Sequence, residues 1–383
     1  MNIIDSDERF WKKLCLFMGL LTLIPTIKAQ QVTLLFAGDA MQHQAQLDNA
    51  CREGSYDYST YFQHLTEAVS CADIAVVNLE TTLGGKPYKG YPMFSSPDEY
   101  AIALKDAGFD VFLNANNHIL DRFSRGLHRT LDVLDSLNVK HTGVFRNLEE
   151  REKTYPLLME ANDIRIAFLN YTYGTNGMKP AFPDIVNYIN PLHIRQDIQR
   201  AKFLKADIII ANMHWGTEYQ LRQSWEQEKT ARFLIEEGVD IVMGSHPHVV
   251  QPAQVITDST GRISNVIVYS LGNFVSGMTA VNTDGGQLIR IVLEKQPEKP
   301  RIVSCHYILV YVDRKQNENK TDYSVVPVLP EANTANSMKM QRFAGNARDV
   351  LNKYNTGVAE DSLFCSHRLD LQERFFILPW LFK

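Results

Sequence analysis

The chain has 383 residues, 45 % of them hydrophobic and 22 % charged, with a net charge of −5. That length can bury a full core, as one large domain or two smaller ones, and the hydrophobic share excludes a disordered chain. The charge balance offers neither the basic footprint of a nucleic-acid binder nor a polybasic membrane surface.

The N-terminus reads as an address. Lys12-Lys13 precede the apolar run Leu14 to Ile24, then Pro25, and Ala29 supplies a small residue before Gln30. A basic flank, a short apolar stretch and a small residue make a secretory signal, with cleavage after Ala29. The run is shorter than the ~20 residues that span a bilayer. Export to the periplasm or cell envelope then leaves Cys51, Cys71, Cys305 and Cys365, an even number for an oxidising compartment. Cys51 and Cys71 are near enough in sequence to pair, and burial as free thiols is the open alternative.

Five apolar, β-branched stretches follow, each ending in Asp, Glu, Asn or His. They are Leu34 to Asp39, Ile74 to Glu80, Val111 to Leu113 leading to Asn116-Asn117-His118, Ile208 to His214, and Ile241 to His248. Such runs read as buried strands. Between them lie helical patterns: a start at Ser96-Pro97 with Glu99 and a stop at Gly108, then Leu127, Leu131, Leu134 and Leu137 at helical spacing. Asn190-Pro191 opens another helix, and Glu226 to Gly238 supplies a fourth. Strands alternating with helices predict βαβ units and a mostly parallel sheet. From Gln287 the pattern changes. Gln287 to Leu293 and Arg301 to Val312 read as antiparallel strands, Gln316 to Thr321 as a polar loop, and Tyr323 to Val328 as a further strand. A helix over about 337–354 and an apolar tail, Phe375 to Trp380, close the chain. The expected division is a signal peptide over 1–29, a main domain over 30–285, a β extension of it over 286–330 and a helical tail over 331–383.

In an open α/β sheet, ligands sit beyond the carboxyl ends of the strands. Asp39, Glu80, Asn117, His214, His246 and His248 would therefore converge there. Mixed oxygen and nitrogen donors suit Mn²⁺, Fe or Zn²⁺ better than Ca²⁺. Taken singly these residues say little, but His246-Pro247-His248 is the sharpest signal, since two imidazoles on a tight turn can both ligate a cation. A carboxylate, Glu80 or Asp39, could bridge two ions.

The ordered motifs Gly38-Asp39, Asn78-Leu79-Glu80, Ala115 to His118 with Asp121, His214-Trp215-Gly216 with Glu218, Gly244 to His248 and Ser270 to Phe274 resemble those of the CapA family of bacterial poly-γ-glutamate capsule synthesis. That family is itself similar to the calcineurin-like metallophosphoesterases. The resemblance implies an α/β fold with a two-sheet core flanked by helices, here followed by an antiparallel and helical extension. It also implies one or two divalent ions (Mn, Fe or Zn) on Asp39, Glu80, Asn117, His214, His246 and His248. His118 would be the general acid, and Glu218 would orient His214 or support the metal. The implied activity is metal-dependent hydrolysis in envelope or capsule polymer metabolism, with an anionic polymer such as poly-γ-glutamate, and other polymer-synthesis subunits, as partners and no nucleic acid. Met41 departs from the pattern: it stands where those enzymes place a metal-binding His, and a thioether is a poor ligand for hard cations. That departure motivates a second reading, a non-catalytic binding or assembly component on the same scaffold.

The signal pattern makes one expectation directly checkable. Mass spectrometry of envelope fractions should find a mature chain beginning near Gln30, and an intact N-terminus on cytosolic protein would contradict it.

Overall fold

The computed structural model describes residues 30–317, 320–328 and 338–361. The signal segment, Cys365 and the Phe375 to Trp380 tail lie outside these residues.

Every predicted strand forms. In Gln31–Ala40, Val32, Leu34 and Phe36 pack into one core while Leu35 and Ala37 pack into another. A strand buried on both faces needs a continuous apolar run rather than an alternating one, which is why the run ends so abruptly at Asp39. One ladder of 15 strands carries the fold. Its main path runs Lys140–Thr142, Val111–Leu113, Ile74–Leu79, Gln31–Ala40, Gly285–Glu294, Arg301–Asn317, Ile263–Val268, Ile241–Ser245, Ile208–His214, Ile164–Thr172 and Leu157–Ala161.

Two parallel runs make up most of it. Lys140–Thr142 through Gln31–Ala40 pair in parallel, and so do Ile263–Val268 through Ile164–Thr172. The antiparallel strands expected after residue 285 join them from the middle of the ladder: Gly285–Glu294 pairs with Gln31–Ala40 and with Arg301–Asn317. The join to the second run rests on one residue pair, Ile263 with Ile302.

The two runs face each other. Val76, Val111 and Leu113 share one core with Ile166, Phe168, Ile210 and Met243 from the far end of the path, so the ladder folds over a common apolar interior. Helices cover the outer faces. Tyr100, Ala101 and Leu104 of Asp98–Asp106 and Leu134 of Phe123–Ser136 pack on one side, and Ile194, Ile198, Ala201, Ala231 and Leu234 of Pro191–Phe203 and Trp225–Glu237 on the other. This is the two-sheet core flanked by helices that the family resemblance implied.

Helix ends follow local chemistry. The Asn190 side chain accepts from the Leu192 and His193 N–H groups ahead of Pro191, and Gly238 ends Trp225–Glu237 at φ +102°. Three expectations need correction. Ser96 does not cap its helix: Pro97 occupies the cap position, and the Ser96 hydroxyl bonds Thr81 at 2.7 Å. The polar stretch from Gln316 belongs largely to strands, because Arg301–Asn317 and Lys320–Pro327 pair in register up to Asn317 with Lys320. Cys51 and Cys71 do not pair; both are free and exposed, one opening a two-residue strand and the other ending the short Thr66–Ser70 helix, while Cys305 is buried and free.

Strand ends on both runs close on the Leu271-Gly272-Asn273 segment. The Asp39 N–H donates to Gly272 O at 3.0 Å, and the Leu271 N–H donates to Gly244 O at 2.9 Å. A β-carbon at Gly38 would lie 2.0 Å from Gly272 O, and one at Gly244 1.9 Å from Tyr269 O. Since backbone occupies the space, Gly244→Ala should destabilise the protein by about 1–3 kcal/mol. Denaturant unfolding checks this, and an unchanged midpoint would contradict it.

Candidate metal centre

Six residues predicted from five strand ends come together: Asp39, Glu80, Asn117, His214, His246 and His248 are all buried. Ligand atoms of Asp39, Glu80 and His214 lie within 4.8 Å of one another, as do those of Glu80, His246 and His248. Glu80 belongs to both groups.

Hydrogen bonds hold most of the cluster. Asp39 Oδ2 lies 3.1 Å from His248 Nδ1 and accepts from the His246 backbone N–H at 3.3 Å. His248 Nδ1 also faces Asn273 Oδ1 at 3.1 Å. Asn78 Nδ2 donates to Asp39 Oδ1 at 2.8 Å and reaches Glu80 Oε2 and His214 Nδ1 at 3.4 Å each. His214 Nε2 faces Asn117 Oδ1 at 2.7 Å, so the network assigns its proton to Nε2. Two atoms stay without a hydrogen bond: Glu80 Oε1 and His246 Nδ1. Glu80 Oε1 lies 3.5 Å from His214 Nε2 and 3.9 Å from His248 Nε2.

Electrostatics follow from this burial. Burial would raise the Asp39 pKa, but the His248 imidazole and the Asn78 amide outweigh it and hold the carboxyl below its usual range. His248 is the complement: burial opposes its charge, and Asp39 more than restores it, raising the pKa. Glu80 is pushed well up by burial and by the Asp39 charge. Burial drives His214 well down, and drives His246 to about 3 with the help of His248.

His118 stands beside this group. Its Nδ1 meets Asp121 Oδ2 at 2.8 Å, and its ring packs edge-on against Phe94, 4.6 Å between centres. Asp121 Oδ2 also accepts from the Phe94 N–H at 2.7 Å. Glu218 is half-buried in the loop after His214. Asn78 and Asn117 meet the His214 nitrogens, with Glu80 Oε1 3.5 Å from Nε2. Met41 is buried with its carbonyl accepting from the Tyr100 hydroxyl at 3.0 Å. His43, the nearest substitute, caps Gln44–Ala50, and its Nδ1 accepts from the Gly277 N–H at 3.2 Å.

The sequence reading missed Tyr173, Asn176 and the roles of Asn78 and Asn273. Asn176 Oδ1 accepts from Asn117 Nδ2 at 3.2 Å, and the Tyr173 ring lies 4.5 Å from that of His246. A turn signal was present: Asn162 and Asp163, both at positive φ, close the Leu157–Ala161 and Ile164–Thr172 hairpin that delivers Tyr173.

The donor set fits a divalent transition-metal ion. Carboxylates and imidazoles converge, and two buried ligand-type atoms have no hydrogen-bond partner.

The family model and the sequence relatives agree with the motif reading. The model of the family described as "Bacterial capsule synthesis protein PGA_cap" matches residues 33–278. The capsule biosynthesis protein CapA of Bacillus anthracis is 28 % identical over 274 residues, 68 % of this chain. That match spans 64 % of the relative, just under two thirds of its length. The PGA biosynthesis protein CapA of Bacillus subtilis (strain 168) is 28 % identical over 286 residues, 71 % of this chain and 70 % of the relative. Among solved structures, the NAD nucleotidase of Haemophilus influenzae is 11 % identical with a TM-score of 0.47, covering 91 % of this chain and 68 % of that one. The calcineurin-like phosphoesterase YfkN of Bacillus subtilis is 12 % identical with a TM-score of 0.44, covering 84 % and 98 %.

Asn78 is the amide on which the two carboxylates and His214 meet. Asn78→Leu keeps a similar volume and removes the donor from buried Asp39, so stability should fall by about 1–3 kcal/mol. Urea unfolding reads the change, and wild-type stability would contradict this account of the cluster.

Proposed function

The chain belongs to the bacterial capsule synthesis protein PGA_cap family, and from that premise we propose that it is an exported, metal-dependent hydrolase acting on a capsule or cell-envelope polymer. Poly-γ-glutamate is one such polymer, brought forward by the family resemblance. The observation that carries the reading is the pair of orphaned, buried ligand atoms, Glu80 Oε1 and His246 Nδ1, inside a convergent set of carboxylates and imidazoles. Leaving such groups without a partner costs about 1–3 kcal/mol each, a cost that a site built for a cation accounts for.

Asp39, Glu80, His214, His246 and His248 would hold the ion, with Asn117 as a further oxygen donor and Glu80 shared if two ions bind. The chemistry such an ion supplies when bound is polarisation of the scissile group and activation of water. The rest falls to the chain itself. Asp121 fixes His118 through Nδ1, which leaves Nε2 to carry the proton that a leaving group takes. Phe94 packs on that ring and limits its rotation. Asn78 donates to Asp39 and reaches Glu80, supporting both carboxylates while adding no charge.

Met41 favours the second reading, in which the same scaffold binds or assembles polymer without cleaving it. Elemental analysis separates the two. Wild-type protein incubated with Mn²⁺, Fe²⁺ and Zn²⁺ should retain at least about one equivalent, and the His246→Ala, His248→Ala double variant well below that with its fold intact. Wild-type protein that stays metal-free would leave the non-catalytic role. For the acid, His118→Ala should keep the metal and lower hydrolysis of a phosphodiester or γ-glutamyl amide probe by ~10²–10⁴-fold. Loss of metal along with activity would show that His118 serves the ion instead.

A further inference from the structure

Two acceptors face the same nitrogen of His248. Nδ1 lies 3.1 Å from Asp39 Oδ2 and 3.1 Å from Asn273 Oδ1, whereas Nε2 lies 3.9 Å from the orphaned Glu80 Oε1. His248 and Asn273 are both buried, so protein groups decide how the ring and the amide are turned.

The surroundings of Asn273 orient its amide. One end meets Thr283 O at 3.0 Å and the Met278 sulfur at 3.5 Å. Both of those atoms only accept, so that end is the NH₂ group and the other end is the carbonyl oxygen. A carbonyl oxygen cannot donate. In the neutral imidazole the nitrogen facing it therefore carries the hydrogen, and Nε2 keeps its lone pair.

Thr283 O is itself held in place. The Thr283 N–H and hydroxyl donate to Ala280 O at 3.2 and 2.7 Å, and Asn346 of the Met338–Tyr354 helix donates to Asn282 Oδ1 at 2.7 Å. The backbone of Asn273 pairs with that of Asp39 in the parallel register of Asn273–Val275 with Gln31–Ala40. Both the main chain and the side chain of Asn273 are thus fixed before any ion arrives.

Asp39 is poorly placed to orient His248 by itself. Its Oδ2 also accepts from the His246 N–H at 3.3 Å, and the residue groups with Glu80 and His214 as ligand-type. A carboxylate oxygen drawn on by a cation is a weaker acceptor. Asn273 is neutral and stands outside both ligand-type groups, so it adds no buried charge and has no competing duty to an ion.

We infer that Asn273 is a positioning residue for the cation: it holds the hydrogen on His248 Nδ1, so that Nε2 serves as the ligand atom and Asp39 is released to serve the ion. This rests on the metal-dependent reading and is independent of the polymer acted on. A purely structural role would use the other end of the amide, tying the turn at Thr283 to the strand end. The two roles separate by substitution. Asn273→Leu removes both ends, whereas Asn273→Asp keeps an acceptor toward His248 and gives up the donor toward Thr283 O.

The test titrates the full chain with Zn²⁺ against a competing chelator. Asn273→Leu should weaken Zn²⁺ binding by about 10–100-fold, as expected when a ligating histidine loses the partner of its other nitrogen, and Asn273→Asp should stay within about threefold of wild type. Equal losses in the two variants would assign the residue to the turn and overturn the inference, as would wild-type affinity in Asn273→Leu. Nitrogen-15 NMR of the Zn²⁺-loaded wild type, labelled at histidine, needs no variant to fold. His248 should show hydrogen on Nδ1 and metal on Nε2, and the reverse arrangement would overturn the inference. Wild-type protein that takes up no metal defeats the metal-dependent reading and this inference with it, whereas metal-loaded protein indifferent to Asn273→Leu defeats the inference alone.

Discussion

The constraint on which this structure turns is the burial of two carboxylates and three imidazoles beside an apolar interior. Charged groups in that position need hydrogen bonds, and extra charges would only multiply the desolvation cost. The chain answers with neutral amides. Asn78 serves Asp39, Glu80 and His214; Asn116 donates to Asn78 Oδ1 and Leu79 O; Asn170 receives the Ala115 N–H and donates to Asn212 O. Each side-chain amide both donates and accepts, so one layer of asparagines passes from the Phe36 and Phe168 core to the ionisable cluster without another formal charge. Asp39 and His248, the pair with mutual support, favour each other's charged forms. Glu80 and His246, which lack it, are pushed toward their neutral forms.

Much of this was legible in the sequence because strands buried on both faces leave a strong trace. A continuous apolar run that breaks into Asp, Glu, Asn or His has few other readings, and Asp39, Glu80, His214 and His246 all announced themselves this way. What stayed hidden depends on contacts between distant segments. Asn78 looks like an interruption in an apolar run until Asp39 and His214 are placed around it. Tyr173 was missed because its strand belongs to an antiparallel hairpin with a mixed, half-buried partner, Leu157–Ala161, whose pattern is weak. Ser96 illustrates the opposite error. Its local sequence suits a helix cap, but a tertiary partner, Thr81, claimed the hydroxyl first.

The segment matched by the family model ends at residue 278, seven residues before the strand that ties the sheet together. Gly285–Glu294 carries none of the cluster, yet it lies between Gln31–Ala40 and Arg301–Asn317 at the centre of the ladder. Chemistry and closure are thus held by different stretches of chain. The ligand-type residues sit on strand ends where side-chain identity matters. The closing strands contribute backbone pairing and apolar volume, for which many sequences serve equally well.

The positions of the ligand-type residues along the chain have a further consequence. Asp39, Glu80 and Asn117 come from the first parallel run, and His214, His246 and His248 from the second, and the runs are joined in the ladder by one residue pair between Ile263 and Ile302. A cation held by both sets would act as a further clasp between two halves that backbone bonds already join through the Leu271-Gly272-Asn273 segment. Its binding free energy would then appear as resistance of the halves to separation, growing with the concentration of free ion. Metal supply in the surrounding compartment would in that way set the lifetime of the folded chain as well as its chemistry.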